Sequence, residues 1–349
     1  MKRPVIAAAG AALAAVLVAA LASAAAPRNG RLVVSSPVTN VGASSTIHLT
    51  SILAPGTYRT TIYVPAGYRA PGDVGTIGNN VGKAHVFVTQ ADGSRVTLNG
   101  AISVVNSGQY PETGCTAATG SHHEVWVVQA KQANGTGTAT FPIFVDDAQS
   151  SPQLPATAAY SLQYCTGGLG LDITEVDLDL VKMFVNPAAR GMYMWRAVYD
   201  PAAADGKTIL SSASVLAASA VPVNAQVSMK LSPVRSHPRW ITVTGHVMAA
   251  RTALPGVKVQ VYVGRSSRLA LRRPKATVRT KADGSYRVTL RLARGLWFAR
   301  AKASTPYQDI TAGGGCTSAD PNHLSGKGCV DATLAPFVVT SKPLRSTLG

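Results

Sequence analysis

Charged and aromatic side chains are scarce in this chain, and each shortage excludes something. Asp, Glu, Lys and Arg make up only 14% of the 349 residues, and Phe, Trp and Tyr 6%. With so few aromatics, the stacking platforms of single-strand nucleic-acid binders are not apparent. Sixteen carboxylates are a thin supply for paired acids in sugar hydrolysis, although such pairs need not be close in sequence. After the first 26 residues, long apolar patterns with a 3.6-residue period are nearly missing, which argues against helical architectures. No second apolar run is long enough to span a membrane. The motifs of several enzyme classes are also missing. There is no Gly-x-Ser-x-Gly elbow, and Pro321 stands where a phosphate loop ending in Gly326-Lys327 needs its leading Gly.

What is present begins with an export signal. Lys2 and Arg3 are followed by the apolar and small-residue run from Val5 to Leu21, and Ala22-Ser23-Ala24 offers a small-x-small cleavage site. This reads as a signal peptide over 1–24, removed on export. A retained anchor is the competing reading, because the run is just long enough to span a bilayer. The remainder is rich in Ala, Val, Thr and Gly. Its short β-branched runs, broken by Gly, Pro, Asn and Asp, predict an all-β chain.

Four cysteines, Cys115, Cys165, Cys316 and Cys329, are an even number in a chain expected to be exported, which points to disulfides. Three pairings are open. If each half closes on itself, the pairs are Cys115–Cys165 and Cys316–Cys329. Zinc is the alternative, but the close Cys-x-x-Cys or Cys/His spacing it prefers is not present.

The formal charge of +17 is unevenly placed. Residues 25–220 carry 11 basic and 12 acidic side chains, and residues 221–349 carry 20 basic and 4 acidic. That asymmetry points to an anionic partner, either an envelope polymer or an acidic protein surface. The candidate binding residues are Arg265, Arg268, Arg272, Arg273 and Lys275, in a stretch whose Gly264 and Pro274 favour a loop. Arg287 and Arg291 join them on one face of an alternating strand. A merely solubilising face is the plainer reading.

Turn signals and strand patterns divide the mature chain into a β-sandwich over 25–220 and a basic one over 221–349, joined by a link at 220–225. The second reads most cleanly. Ile241, Val243 and Val247 alternate, as do Val257, Val259, Val261 and Val263, and then Tyr286, Val288, Leu290 and Leu292. In this region Gly245-His-Val247, Pro255-Gly-Val257 and Asp283-Gly-Ser-Tyr286 resemble the carboxypeptidase-regulatory-like, transthyretin-like sandwich of secreted proteins. The resemblance covers roughly 240–303. It implies an Ig-like fold, an Asp-Gly hairpin turn and a non-catalytic accessory role. The insertion at 313–331, with its two cysteines, departs from that pattern. In the first region, Tyr63-Val-Pro65-Ala-Gly67-Tyr68, His123-Glu-Val-Trp126, Phe144-Val-Asp146 and Gly191-Met-Tyr193-Met-Trp195 resemble secreted actinobacterial proteins. That likeness implies export and no particular activity.

Two clusters carry metal-type side chains. In Ser121-His122-His123-Glu124, Val127 occupies the place of the second His of a metalloprotease helix, so a strand leading to a core Trp is favoured. Glu175, Asp177 and Asp179 share one strand face. They fit a calcium site, a contact with the basic half, or a solvated edge. Taken together, the residues predict two Ig-like sandwiches in tandem after a cleaved signal peptide. The protein is expected to be secreted, loosely envelope-associated, non-catalytic and without cofactor, binding an anionic polymer through its basic half. An enzyme acting on wall glycan, with the second sandwich as targeting module, is the alternative.

Overall fold

The computed structural model describes residues 30–70, 76–110, 115, 122–135, 137–151, 154–206, 208–268, 271–306, 308–310 and 332–348. The expected signal peptide, Cys316 and Cys329 lie outside them. The chain is all-β. Apart from two single-turn 3-10 helices, every regular element among the described residues is a strand.

The first region supplies β1 (Arg31–Ser35), β2 (Ser44–Ile52), β3 (Thr57–Pro65), β4 (Asn80–Thr89), β5 (Arg95–Val105), β6 (Glu124–Lys131), β7 (Thr138–Asp147), β8 (Ala158–Cys165), β9 (Asp172–Val185), β10 (Gly191–Pro201) and β11 (Val215–Val223). These form one antiparallel sheet in the order β1-β2-β9-β4-β5-β6-β7-β8-β3-β10-β11. Where the pattern suggested two facing sheets, hydrogen bonding runs unbroken through all eleven strands. The period-2 alternation gives the sheet a dry inner face. Val176, Leu178 and Leu180 of β9 point inward with Val86 of β4, Ile62 of β3 and Trp195 of β10, all essentially inaccessible.

The sheet bends until its two ends meet. The β1 edge that faces away from β2 approaches β10 and β11, where it finds side chains instead of a backbone ladder. Val34 N–H donates to Ser219 Oγ (2.9 Å), while on the β2 side the Tyr199 hydroxyl donates to the Arg31 carbonyl (2.8 Å). Ser219 and Tyr199 are fully buried. Close approach of backbones needs glycine at two places. A Cβ on Gly100 would stand 1.8 Å from the Gln129 carbonyl oxygen, and one on Gly82 2.1 Å from that of Asp179.

One internal proline sits where pairing is one-sided. Pro142 of β7 pairs with β6, but β8 joins β7 only from Phe144 onward. Proline, having no N–H to donate, is tolerated at such free edges.

The second region supplies β12 (Gln226–Val227), β13 (Lys230–Pro233), β14 (Trp240–Ala249), β15 (Thr252–Ala253), β16 (Lys258–Gly264), β17 (Ala276–Arg279), β18 (Ser285–Arg291), β19 (Gly295–Thr305), β20 (Gln308–Ile310), β21 (Ala332–Leu334), β22 (Phe337–Thr340) and β23 (Leu344–Leu348). One sheet is centred on β14, which pairs with β12, β13, β15 and β18. The other has the order β17-β16-β19-β22, with β23 also on β19. Their apolar faces share one cluster, in which Val243, Val247, Val259, Val261, Ala301 and Ala303 are wholly buried.

Three details differ from the sequence reading. The stretch expected as a link, 220–225, is strand as far as Val223; the turn comes at Asn224, which has a positive φ of 54°. The Asp283-Gly284 turn forms, with Ser285 N–H on Asp283 Oδ1 (2.9 Å), but β17 and β18 on either side of it belong to different sheets. A twin of this turn lies in the first region. Ala91-Asp92-Gly93-Ser94 repeats Ala282-Asp283-Gly284-Ser285, with the same Ser N–H to Asp bond at 2.9 Å. Finally, the apolar run that ends the second region is two strands, β21 and β22, which do not stay together. β21 leaves the second region and adds to the first sheet, parallel to β11, with β20 outside it. There the Thr333 hydroxyl donates to the Leu32 carbonyl of β1 (2.6 Å).

Cys115 and Cys165 are bonded, with Cα atoms 5.6 Å apart, beside Val125 and Phe144. The bridge closes a sequence separation of 50 residues, which on loop entropy restricts the unfolded chain by about 4 kcal/mol. Replacing both cysteines by serine is expected to lower the unfolding free energy in urea by up to about that amount. A loss under about 1 kcal/mol would show that the loop is already ordered without the bridge.

Candidate functional site

The acidic stripe lies on the outer face of β9, opposite Val176 and Leu178. Each member meets a neighbour from the first region itself. Asp179 Oδ1 is 2.5 Å from His48 Nδ1. Glu175 accepts from Arg95 at 2.5 Å, and the Arg95 guanidinium also covers the Phe87 ring at 4.1 Å. Asp177 stands in register with Thr50 on β2 and His85 on β4. Partial burial raises its carboxyl above the ordinary range. The charges of Glu175 and Asp179 add to this, while the Thr50 hydroxyl and His85 oppose it.

The histidine pair is placed by the start of β6 against β7. His122 is buried, with Nδ1 2.8 Å from Asp146 Oδ1 and its ring 4.6 Å from that of Phe144. His123 is more exposed, 3.2 Å from Asp147 Oδ2. Burial pushes the Asp147 carboxyl up, but the N–H groups of Ser150 and Gln149 and the nearby His123 hold it below the usual range. Glu124 accepts from the Trp126 indole at 2.6 Å, and Trp126 is core, within a run from Val125 to Val128 that is buried throughout. No group of three or more His, Cys, Asp or Glu gathers at metal-binding distance among the described residues. An open groove of about 700 Å³ runs past Tyr58, Gly167 and Asp172; its rim is largely glycine, threonine and small apolar residues.

The seven basic candidates do not form one patch. Arg287 and Arg291 point outward from β18, in register with Thr244 and Trp240 of β14. Lys230 of β13 extends the Thr244 row. Arg268, Arg272, Arg273 and Lys275 are exposed on the β16–β17 connection, at the edge of the other sheet. Arg265 is structural. Its guanidinium donates to the Leu296 carbonyl (3.0 Å) and the Arg294 carbonyl (2.9 Å) and lies 3.9 Å over the Trp297 ring.

The structure brings out a second set of cations, on the outward face of β16, β17, β19 and β23. Val259, Val261, Ala301 and Ala303 are buried, so Lys258, Gln260, Arg300 and Lys302 between them lie on the opposite face, as does Tyr262, which is itself buried. Lys258 is in register with Arg279 on β17, Gln260 with Lys302, Tyr262 with Arg300, and Phe298 with Arg345. Arg300 and Lys302 alternate with Ala299, Ala301 and Ala303 along one strand, but their alignment with Lys258, Arg279 and Arg345 depends on cross-strand register. Neither sheet of the second region has an Asp or Glu in any strand.

The sequence matches no family profile and no curated protein. Among solved structures, the D0-D1 domain of Intimin is similar over 63% of this chain and 92% of that one, at 17% identity and a TM-score of 0.19. A likeness at that score has no bearing on fold or function. No helix among the described residues is long and apolar enough to cross a membrane.

The raised Asp177 carboxyl gives a prediction of definite sign. Ionising it costs stability once pH exceeds the unfolded-state value, and the cost is complete above the raised folded-state value. Asp177→Asn is therefore expected to raise the melting temperature at pH 7. The gain should shrink as pH falls through the folded-state value and vanish below the ordinary carboxylate range. A variant less stable than the parent at pH 7 would contradict this.

Proposed function

We propose that this is an exported, envelope-associated, non-catalytic protein whose second region holds an anionic polymer through lysine and arginine. One observation carries the reading. Both sheets of the second region turn cations outward, and no strand of either contributes a carboxylate to neutralise them. A face kept soluble by charge alone works equally well with both signs interspersed. One-signed faces instead attract and steer a polyanion. The resemblance of the region around 240–303 to accessory sandwiches agrees with binding, and the signal-like N-terminus agrees with export.

Polyanion binding by Lys and Arg releases counterions, so affinity falls linearly with salt on a log–log scale, by roughly 0.7–0.9 per charge neutralised. Co-sedimentation with purified cell wall carrying its anionic polymers is expected to weaken strongly between about 50 and about 200 mM salt. It should be lost when those polymers are stripped away. Equal retention at both salt concentrations, or on stripped wall, would refute the electrostatic reading.

A further inference from the structure

The anionic-polymer reading leaves open where the polymer lies and what it is; the register of the second sheet bears on both. In the row nearest one end, Arg279 and Lys258 stand side by side on β17 and β16. Two residues further along, Lys302 on β19 takes the next row, beside Gln260. Arg300 follows two residues on, beside Tyr262. Arg345 on β23, opposite Phe298, takes the row after that. From β17 and β16 the cations pass to β19, where two successive rows hold Lys302 and Arg300, and then to β23. The result is a diagonal track of five cations on one face.

Strand geometry gives the pitch. Neighbouring strands are about 4.8 Å apart and two residues rise about 6.8 Å, so steps along the track after the first pair are about 7–8 Å and its length is about 25 Å. Two of the cations are steadied by backbone carbonyls. Arg279 donates to the Gly256 carbonyl and Arg300 to that of Ser341, and neither meets a carboxylate in these bonds. Lys258, Arg279 and Arg345 are exposed, and Lys302 and Arg300 are half-buried.

We propose that this track binds an extended polymer of three-carbon polyol phosphodiesters, one phosphate per cationic step. Three backbone bonds of a peptide reach about 3.3–3.6 Å. A repeat of six bonds, running from phosphorus through oxygen, three carbons and oxygen to the next phosphorus, therefore reaches about 7 Å. That is close to the pitch of the track, about 7–8 Å. A polyuronate repeats its carboxylate at the shorter spacing of roughly 5 Å, with about five bonds through each sugar. A nucleic-acid strand has the same six-bond repeat, but its binders add aromatic platforms for the bases. On this face Tyr262 is buried and Phe298 only half-exposed. The guanidinium forks of Arg279, Arg300 and Arg345 suit phosphate oxygens.

The test uses the full mature chain and defined glycerol-phosphate oligomers, with polygalacturonate and oligodeoxythymidylate as comparators. Affinity is expected to rise with oligomer length to about four repeats, where about 25 Å is covered, and then flatten. The exposed-face variant Lys258→Gln/Lys302→Gln/Arg345→Gln should bind at least about tenfold more weakly, with a salt slope shallower by about two. Circular dichroism and melting should match the parent. The loop variant Arg272→Gln/Arg273→Gln/Lys275→Gln should stay within about threefold. The track is refuted if the loop variant loses as much as the sheet variant, if length has no effect, or if either comparator binds as tightly. If the parent binds glycerol-phosphate polymer in a salt-dependent way but the sheet variant is unchanged, only the track fails. If the parent binds no polyanion, the broader reading of the second region fails with it.

Discussion

A strand edge that becomes buried must find partners for its N–H and C=O groups, and this molecule is organised around one such edge. On one side β1 has a full antiparallel partner in β2. Its other side faces the interior, where the carbonyl of Leu32 and the N–H of Val34 bond to hydroxyls of Thr333 and Ser219. Each bond is worth only about 0.5–1.5 kcal/mol net, but leaving one such buried group unpaired costs about 1–3 kcal/mol. Two short polar side chains thus satisfy the inward edge of β1. One of them, Thr333, comes from β21, 301 residues from Leu32 in sequence.

That last contact ties the halves of the chain together. β21 lies parallel to β11, and β11 also sends Ala220 into the apolar cluster of the second region, where it joins Leu334. The first sheet is therefore completed by a strand from the region that carries the charge. A cationic face on a continuous, buried-core sheet keeps its rows in fixed register, and that lets a spacing argument be made at all. Cations on a loop, such as Arg272 and Arg273, have no such fixed pitch.

Much of this was legible in the residues. Alternation of Val259, Val261 and Val263, and of Tyr286, Val288 and Leu290, set the faces of the second region. The cysteine count and position anticipated the Cys115–Cys165 bond, and the all-β class followed from short β-branched runs. Other features were hidden for physical reasons. Ala217 to Pro222 has small side chains and a proline, so it gave little strand signal, yet it is strand because β10 pairs with it throughout. A three-residue strand such as β21 is set by distant partners, not by its own propensity. Arg265 looked like the leading ligand-binding cation, and only the position of Trp297 and the 294–296 carbonyls showed it to be a brace. The track itself depends on cross-strand register, which residue types along one strand do not encode.

The claim that β1, β11 and β21 form one shared seam is tested most directly by scanning calorimetry of the parent chain and of Thr333→Val. The seam predicts one cooperative transition for the parent, with equal calorimetric and van't Hoff enthalpies. In Thr333→Val the Leu32 carbonyl loses its partner, and the whole transition should move to lower temperature without splitting. Two separate transitions in the parent, or a shift confined to one of them in the variant, would contradict it.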